Sequence, residues 1–246
     1  MRKRNKRGKV ILLVDADSLI FASCLKQKES ELDTGFVDCI DEAKEKFDDK
    51  LSAIVNHLEG IYDVEEVRIF NGSIGNFRKL ITTKYKANRK KQELPPLLND
   101  LHNLIKFDYD SVFEYGVETD DVVATLWKRV SDKNGVDSVI IVSIDKDYKQ
   151  FPCLMYNYHY KHKEILDITE EEDMYNFYEQ MIVGDTADNV NYFKGKGKKY
   201  AEKHFKDCTT KYQYTRKLYE LFKQEYKGKA RQKYAECYHL LKLRTE

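Results

Sequence analysis

The sequence predicts an α/β fold in which a mostly parallel sheet is flanked by helices and followed by a C-terminal helical region. Two observations support this fold class. Short segments rich in Val, Ile and Phe alternate with longer segments whose apolar residues recur at helical spacing. Beyond residue 170 no strand pattern follows, and helical patterns are interrupted by glycines. Alternating strands and helices are typical of a parallel sheet with helices on both faces.

Individual elements follow from the same patterns. Segments 41–58 and 121–130 have apolar residues every three or four positions, as in a helix that packs one face on a core. Neither a repeat nor a low-complexity linker interrupts the chain. Four segments are predicted to be strands, namely residues 10–14, 66–70, 111–115 and 138–144.

The length and the apolar content limit the class of protein. The 246 residues suffice for one large domain, or for a core domain with a small helical appendix. Every apolar run is far shorter than the roughly 18 residues that cross a bilayer, so the sequence excludes a membrane-spanning protein. No apolar stretch of signal-peptide length follows the basic first residues. We therefore expect the protein to stay in a cytoplasm.

Cysteine and histidine provide no evidence for a metal or redox site. The five cysteines and six histidines are scattered, without the spacing of zinc ligands or of a redox pair. No glycine-rich phosphate loop precedes a helix. Oxygen ligands are the remaining candidates for metal chemistry.

Charges of opposite sign are separated along the chain, although 43 Lys and Arg nearly balance 42 Asp and Glu. Basic residues cluster in the tail 2–9 and in segment 194–206, which holds six Lys. Segment 78–91 holds seven Lys or Arg and no acid. Each cluster could be a solvated surface, but three clusters with interleaved aromatic residues favour a polyanionic partner.

Acidic residues follow two predicted strands and occupy two further segments. Asp15 comes directly after segment 10–14, and two acids follow segment 138–144. Because ligand crevices in open parallel sheets lie beyond the carboxyl ends of the strands, these acids are expected at one edge. Segments 116–121 and 184–189 contribute the others. The candidate acids are Asp15, Glu118, Asp120, Asp121, Asp145, Asp147, Asp185 and Asp188.

One explanation for each acid alone is a helix cap or a turn. Four groups that could meet at one edge favour a cation site instead, because clustered like charges raise one another's pKa. Carboxylate oxygens suit Mg²⁺. Two ions roughly 4 Å apart would stabilise the attacking and leaving oxygens of an in-line displacement. The acids therefore predict phosphodiester hydrolysis.

Five short segments carry most of the candidate acids and the central basic residues, and their order along the chain resembles that of a known set of motifs. They are residues 12–17 (LLVDAD), 85–89 (YKANR), 116–121 (GVETDD), 143–147 (SIDKD) and 184–189 (GDTADN). In this order they resemble the motifs of the 5′-nuclease or flap endonuclease family. The similarity is greatest to its bacteriophage 5′-to-3′ exonucleases, which resemble the 5′-nuclease domain of bacterial DNA polymerase I.

The resemblance implies a PIN-like core, an arch that gates the 5′ end of the substrate, and a helix-three-turn-helix element that binds duplex DNA. Residues 1–9 would be a basic flexible tail. Residues 10–175 would form the nuclease core, including an arch segment at 78–110, and residues 176–246 the helical duplex-binding annex. Residues 90–115 are few for an arch, so we expect an open or partly disordered gate.

The resemblance also implies a role for each acid. Asp15, Glu118 and Asp120 would be ligands of the catalytic ion. After segment 66–70 the family has an Asp, whereas this sequence has Asn71, which can offer a carbonyl oxygen or hold a metal-bound water. This substitution removes one negative charge from the site. The ligands of the second ion, directly or through water, would be Asp121, Asp145, Asp147, Asp185 and Asp188.

Basic residues receive roles in the same way. Tyr85, Lys86 and Arg89 resemble the base of the arch, where the lysine contacts the scissile phosphate, and Arg78 would approach phosphates. Segment 194–199 resembles the hairpin of the duplex-binding element, where glycines let the backbone approach a phosphate and a K⁺ ion. The residues expected to bind nucleic acid are Lys84, Lys90, Lys194, Gly195, Lys196, Gly197, Lys198 and Lys199.

The sequence thus predicts a 5′-to-3′ exonuclease and flap endonuclease with two Mg²⁺ ions, which Mn²⁺ is expected to replace. Its substrates would be DNA with a 5′ end, flap or nick, or an RNA:DNA hybrid, in primer removal during replication or in recombination. A phage-encoded protein would act in the host cytoplasm, away from membranes. The alternative is a nucleic-acid-binding protein of the same fold whose catalysis is weakened at Asn71. A PIN-type ribonuclease without the annex leaves segment 194–199 unexplained.

Overall fold

The computed structural model describes residues 8–26, 35–72, 75–91 and 93–245, without the side chains of Lys90 and Lys91. Residues 1–7 of the predicted basic tail therefore lie outside the described residues. Within these ranges, no helix is both long enough and apolar enough to cross a membrane.

A five-stranded sheet forms the centre of the structure, in the order β2-β1-β3-β4-β5. β1 pairs in parallel with β2 and β3, and β3 pairs in parallel with β4. Only the pairing of β4 with β5, at the sheet edge, is antiparallel. The prediction of a mostly parallel sheet is confirmed. The strands are β1 (Lys9–Asp15), β2 (Asp63–Phe70), β3 (Val139–Val142), β4 (Leu154–Asn157) and β5 (Glu164–Asp167).

β1 is buried on both faces, as its continuous apolar sequence predicts. Leu12 and Val14 belong to one apolar cluster, and Leu13 belongs to a second cluster on the opposite face. At its end, Asp15 is paired with Phe70 of β2. β3 ends beside the same position. The carboxyl ends of three strands therefore meet at one edge of the sheet.

The predicted strand at residues 111–115 is wrong. Only Val112 pairs with the sheet, in an isolated parallel bridge to Phe70. Tyr115 is 74% exposed, so the segment does not bury alternate side chains as a half-buried strand would. The sequence analysis also missed β4 and β5, because these strands of 4 residues lack the run of Val and Ile that marks the equally short β3.

Helices account for most of the remaining described residues. α2 and α5 contain the two segments predicted to be helical. The helices are α1 (Asp17–Ser23), α2 (Ile40–Glu59), α3 (Arg78–Ile81), α4 (Leu98–Asp108), α5 (Thr119–Asn134), α6 (Glu170–Val183), α7 (Lys198–Phe205), α8 (Lys211–Tyr226) and α9 (Ala230–Leu241).

The sheet is covered on both faces, as predicted. α1, α2 and α4 pack on one face, where Phe47 and Leu101 join the cluster of Leu12. α5 packs on the other face through Val123 and Trp127. α4 supplies an ordered helix within the predicted arch segment.

α6 to α9 form a third apolar cluster, which confirms the predicted helical region at the C-terminal side. Aromatic rings fill much of it; Phe193 and Phe222, for example, lie 4.7 Å apart between ring centroids in edge-to-face contact. α6 begins at a capping box in which Thr169 and Glu172 exchange hydrogen bonds. Because α6 runs across residues 175 and 176, the division between core and annex at that point stays a prediction.

Candidate metal centre

Asp15 lies at the edge where the strand ends meet, and only 8% of its surface is exposed. Its Oδ2 accepts hydrogen bonds from the hydroxyls of Tyr148 at 2.8 Å and Ser143 at 3.4 Å. Burial raises the pKa of Asp15 to about 7, and the charges of Asp17 and Asp145 act in the same direction. The carboxyl group is therefore costly to ionise in the protein alone.

A turn after β3 brings Asp145 and Asp147 to the same edge. Asp145 precedes the 3-10 helix Lys146–Gln150 and accepts a hydrogen bond from the backbone N–H of Asp147 at 2.9 Å. The carboxylate of Asp147 accepts one from the amide of Gln180 at 2.7 Å. Burial raises the pKa of both acids, that of Asp147 to about 7 with a contribution from Asp145.

Asp120 joins two groups of carboxylates. One oxygen from each of Glu118, Asp120 and Asp121 lies within 4.8 Å of the others, at the start of α5. Asp120, Asp145 and Asp147 meet the same condition. Burial raises the pKa of Asp120 well above its usual value, and Glu118 and Asp121 add to the effect. Every donor in both groups is a carboxylate oxygen, the ligand type that Mg²⁺ accepts.

Glu118 is surrounded by positive charge. Its Oε2 accepts hydrogen bonds from Arg78 at 2.9 Å and from the hydroxyl of Tyr85 at 2.8 Å. The ammonium group of Lys86 contacts Oε1. Burial alone would raise the pKa of Glu118, but Lys86 and Arg78 hold it below its usual value. Glu118 is therefore ionised and held by cations.

Arg78 is buried behind Glu118, with 1% of its surface exposed. Its guanidinium donates to both oxygens of Asp121, at 2.5 and 2.9 Å, and to the carbonyl oxygen of Lys242 at 3.0 Å. The backbone N–H of Arg244 donates to Oδ1 of Asp121 at 2.8 Å. The structure does not support the expected approach of Arg78 to a phosphate, because protein groups enclose the guanidinium.

Residues at the predicted base of the arch contact Asp188. The hydroxyl of Tyr85 donates to its Oδ2 at 2.7 Å, and Arg89 donates to its Oδ1 at 2.9 Å. The backbone N–H of Lys86 donates to its carbonyl oxygen at 2.9 Å. Lys86 itself has a φ of 55°, a value that costs energy for a side chain of this type. The 85–89 and 184–189 segments therefore form one unit.

Asp185 is 4% exposed and has its own cation. Lys146 lies 2.8 Å from Oδ2, and the backbone N–H of Ala187 donates to Oδ1 at 2.8 Å. Burial would raise the pKa of Asp185, but these partners lower it. The turn begins at Gly184, where φ is 77° and a Cβ would overlap the carbonyl oxygen of Val190.

Among the described residues, Asp15 lies outside the two groups of three carboxylates that could hold an ion, although the charge of Asp145 contributes to its raised pKa. Asp185 and Asp188 also lie outside both groups. The carboxylate of Asp185 contacts Lys146, and that of Asp188 contacts Arg89 and Tyr85. Their expected contribution to a second ion site stays a prediction.

Asn71 follows β2 and is 1% exposed. Its Nδ2 donates to the carbonyl oxygen of His102 in α4 at 2.9 Å, while its Oδ1 is buried without a hydrogen-bond partner among the described residues. Asp17 lies nearby and accepts hydrogen bonds from the N–H of Gly72 and the hydroxyl of Thr119, both at 2.6 Å. Asn71 and Asp17 thus connect β2, α4 and α5.

Sequence reasoning missed several residues that hold the acids in place. Tyr148 and Ser143 bind Asp15, Gln180 binds Asp147, and Lys146 pairs with Asp185. Tyr148, Ser143 and Lys146 lie within three residues of a candidate acid, so proximity in sequence was an available signal. Gln180 lies in α6, 33 residues from Asp147, and no sequence pattern points to it.

The segment expected to contact duplex DNA is exposed. Residues 194–199 are all exposed, and Gly195 has a φ of 74°. Lys198 begins α7 and lies 3.2 Å from Glu179. Lys84 is also exposed, beside the arch base, whereas the side chain of Lys90 lies outside the described part of the chain. The location is compatible with phosphate binding.

Solved structures with the same fold come from bacteriophage T5. A T5 D15 protein co-crystallised with metal ions has a TM-score of 0.65 and 13% sequence identity, covering 95% of this chain and 89% of that chain. A T5 D15 flap endonuclease variant in a pseudo-enzyme-product complex with DNA and metal ions has a TM-score of 0.67 and 12% identity, with the same coverage. At these identities the likeness is one of fold.

Curated relatives match at the level of sequence. The chain is 24% identical to an exonuclease of Escherichia phage T7 over 198 residues, which are 77% of this chain and 64% of the relative. It is 27% identical to a 5′-3′ exonuclease of Buchnera aphidicola over 154 residues, 57% of this chain and 52% of the relative. The chain thus spans less than two thirds of the length of either relative.

The family described as "5′-3′ exonuclease, N-terminal resolvase-like domain" matches residues 10–179, more than half of the sequence. The match begins at β1 and ends in α6, so it includes Asp15, Glu118, Asp120, Asp145 and Asp147. With its sheet, its helical cover and its acidic edge, this chain belongs to the 5′-3′ exonuclease family.

Proposed function

We propose that this chain is a divalent-metal-dependent 5′-to-3′ exonuclease and structure-specific flap endonuclease that hydrolyses phosphodiester bonds of DNA. One observation carries the proposal. Four buried or half-buried acids meet at the strand ends, and none of them forms an ion pair with Lys, Arg or His in the described part of the chain. These acids are Asp15, Asp120, Asp145 and Asp147.

The residues present fit divalent ions. Burial raises the pKa of Asp15 and Asp147 to about 7, so ionising this group without a cation is unfavourable. A hard cation with oxygen ligands removes that cost. Asp15, Glu118 and Asp120 would hold the catalytic ion, and Asp145 and Asp147 the second. When bound, the two ions would activate a water molecule and stabilise charge on the oxygens of the phosphodiester.

Asp121 has a different part in this proposal from the one that the resemblance implied. Both of its oxygens accept hydrogen bonds from the buried Arg78, and one also accepts from the N–H of Arg244. We assign Asp121 to hold Arg78, which in turn holds Glu118. Asp185 and Asp188 anchor Lys146 and the arch base in the same way, and any contact with the second ion would pass through water.

Lys86, Arg89 and Tyr85 provide the polar groups beside the acids. Lys86 lies between Glu118 and Asp188, with Nζ 3.6 Å from Oδ1 of Asp188. A phosphate at the acidic edge would lie within reach of this ammonium group, which would stabilise the charge of the transition state. The hydroxyl of Tyr85 lies 2.8 Å from Oε2 of Glu118 and 2.7 Å from Oδ2 of Asp188. It has one proton and therefore donates to one of the two acids at a time, which keeps both carboxylates beside it.

Duplex DNA would bind to the exposed lysines of segment 194–199, where Gly195 brings the backbone close to a phosphate. We also propose that Lys84, beside the arch base, contacts the DNA strand whose 5′ end enters there. A K⁺ ion at this segment, replacement of Mg²⁺ by Mn²⁺, and activity on RNA:DNA hybrids in replication or recombination belong to the proposal.

A cleavage assay tests the proposal. The substrate is a 5′-labelled duplex with a single-stranded 5′ flap, incubated with Mg²⁺ or with chelator. We expect the unmodified protein to form products with Mg²⁺ but not with chelator, and the variant Asp15→Ala to form none in either condition. Asp132→Ala is the matched control, because Asp132 is an exposed acid paired with Lys128 in α5. Cleavage in chelator, or by Asp15→Ala, would contradict the metal-dependent mechanism.

One observation favours the second candidate, a nucleic-acid-binding protein with weakened catalysis. The side chain of Asn71 is a neutral amide and supplies no negative charge after β2, and its Nδ2 donates to the carbonyl oxygen of His102 in α4. Tight duplex binding with no product at any Mg²⁺ or Mn²⁺ concentration would support this candidate over the nuclease.

A further inference from the structure

After α9 the chain turns back onto the nuclease core. Leu243 is 2% exposed and belongs to the apolar cluster of Leu13, Trp127 and Ile141, on the α5 face of the sheet. The helices that precede it pack in the separate cluster of the annex. We call residues 241–244 the C-terminal strap, because they join the annex to the core.

One side of the strap binds the polar groups behind Glu118. The carbonyl oxygen of Lys242 accepts a hydrogen bond from Arg78 at 3.0 Å, and the N–H of Arg244 donates to Asp121 at 2.8 Å. Arg78 then donates to Glu118 at 2.9 Å. A buried ion pair is held more firmly the more of its remaining donors and acceptors are satisfied. Here two of them are satisfied by the backbone of the strap, whereas Nε of Arg78 has no partner among the described residues.

The other side of the strap binds the polar groups behind Asp147. The side-chain amide of Gln150 donates to the carbonyl oxygen of Leu241 at 2.7 Å and accepts from the N–H of Leu243 at 3.2 Å. The same amide donates to Gln180 at 2.9 Å. Gln180 in turn donates to Asp147 at 2.7 Å. Gln150 is 3% exposed, so these bonds do not compete with water.

We propose that the C-terminal strap positions the two groups of carboxylates relative to each other. Glu118 belongs to one group and Asp147 to the other, and Asp120 belongs to both. Each group has a hydrogen-bonded chain that ends on the backbone of the same four residues. The strap reaches Glu118 and Asp147 only through other side chains, so its residues are positioning residues. This inference rests on the proposed function, because it concerns the geometry in which the acids hold divalent ions.

The first test compares two buried leucines. Leu243→Ala removes the apolar anchor of the strap, while Leu221→Ala removes a leucine that is 3% exposed in α8, away from the strap. The readout is binding of Mn²⁺ to metal-free protein, measured by isothermal titration calorimetry without DNA. We expect Leu243→Ala to bind Mn²⁺ about tenfold more weakly, the effect typical of residues that orient metal ligands. Leu221→Ala should lower the melting temperature but leave Mn²⁺ affinity unchanged.

A second pair removes one hydrogen bond. Arg244→Pro lacks the N–H that binds Asp121, whereas Arg244→Ala keeps this N–H and loses only the guanidinium over the ring of Phe77. Weaker Mn²⁺ binding by the proline variant alone is the expected result. This pair decides the matter if Leu243→Ala does not fold.

Three outcomes would overturn the inference. Wild-type Mn²⁺ affinity in both Leu243→Ala and Arg244→Pro would show that the strap does not position the acids. Equal weakening in Leu243→Ala and Leu221→Ala would show a general effect of lost stability. Absence of Mn²⁺ binding by the unmodified protein would overturn the proposed function as well, so the two failures are distinguishable.

Discussion

The eight candidate acids fall into two sets, which differ in whether a Lys or Arg side chain contacts the carboxylate. Glu118, Asp121, Asp185 and Asp188 each contact Lys or Arg side chains. Asp15, Asp120, Asp145 and Asp147 form no such ion pair in the described ranges, and burial raises the pKa of all four. We call these the paired acids and the unpaired acids. The difference teaches that Asp15, Asp120, Asp145 and Asp147 are the acids whose ionisation the protein itself leaves uncompensated, and for which a bound cation would remove the largest cost.

The largest expected effect comes from removing an unpaired acid. Asp145→Ala should reduce flap cleavage to the level seen in chelator, because it deletes a carboxylate shared with Asp120 and Asp147. Affinity for the duplex, measured with Ca²⁺ in place of Mg²⁺, should be unchanged. Its control, Asp137→Ala, changes an acid in the turn before β3. Substantial cleavage by Asp145→Ala would mean that the unpaired acids are not the ion site.

The second largest effect is expected from removing Lys86, whose ammonium group contacts two paired acids. Lys86 contacts both Glu118 and Asp188. We expect Lys86→Ala to lower the single-turnover rate by about 10² to 10³, as for loss of one transition-state donor, with little change in affinity. Lys84→Ala, which removes an exposed lysine two positions away, is the comparison. If both variants lose affinity and keep their rates, Lys86 binds the substrate without stabilising the transition state.

A smaller effect should appear in the stability of the metal-free protein. The pKa of Asp147 is raised to about 7 in the folded state, so the folded protein binds more protons than the unfolded chain between about pH 4 and pH 7. Stability from this group is therefore lost as the pH rises through that range. The Asp147→Asn variant does not lose this stability. We therefore expect the difference between its melting temperature and that of the unmodified protein to increase from pH 5 to pH 8 in chelator.

Addition of Mg²⁺ at pH 8 should reverse this gain, because the ion binds the carboxylate that the variant lacks. Differential scanning calorimetry in chelator and in Mg²⁺ provides both measurements. A difference in melting temperature that does not change with pH would contradict the raised pKa of Asp147.

The smallest effect is expected from a substitution that converts a paired acid into an unpaired one. Lys146→Ala leaves Asp185 without its ammonium partner, and because the Lys146 side chain is 62% exposed we expect a loss of under about 1 kcal/mol at pH 7. The pKa of Asp185 is lowered in the folded protein, so this loss should fade as the pH falls through that pKa. Urea unfolding at pH 7 and pH 3 tests it, with Lys128→Ala as the control for a fully surface pair. A larger loss at pH 3 would be the wrong sign.

Sequence patterns predicted the parts of the fold that depend on local periodicity. Segment 10–14 and the helix at 41–58 are visible because burial repeats over many residues. Segment 111–115 has the composition of a strand, but its side chains are largely exposed and only one residue bridges to the sheet. Such failures are expected where tertiary packing decides the outcome of a short segment.

The unpaired acids could also be predicted, since Asp15 ends β1 and Asp145 follows β3. Their division from the paired acids could not be predicted. It depends on contacts over long separations, such as Arg78 with Asp121 and Arg89 with Asp188, 43 and 99 residues apart. A basic residue near a segment expected to bind phosphate has the same appearance in sequence whether it faces solvent or, as Arg78 does, the interior.

Gly184 limits how this sequence can change over generations. Its positive φ and the carbonyl oxygen of Val190 leave no space for a side chain. The turn that it begins carries Asp185 and Asp188, and through Asp188 it anchors Tyr85, Lys86 and Arg89. Replacement of one hydrogen atom by a methyl group would therefore displace groups in both segments, 184–189 and 85–89, at once. Among descendants that keep this turn, we expect drift at the exposed lysines around it and no accepted change at position 184.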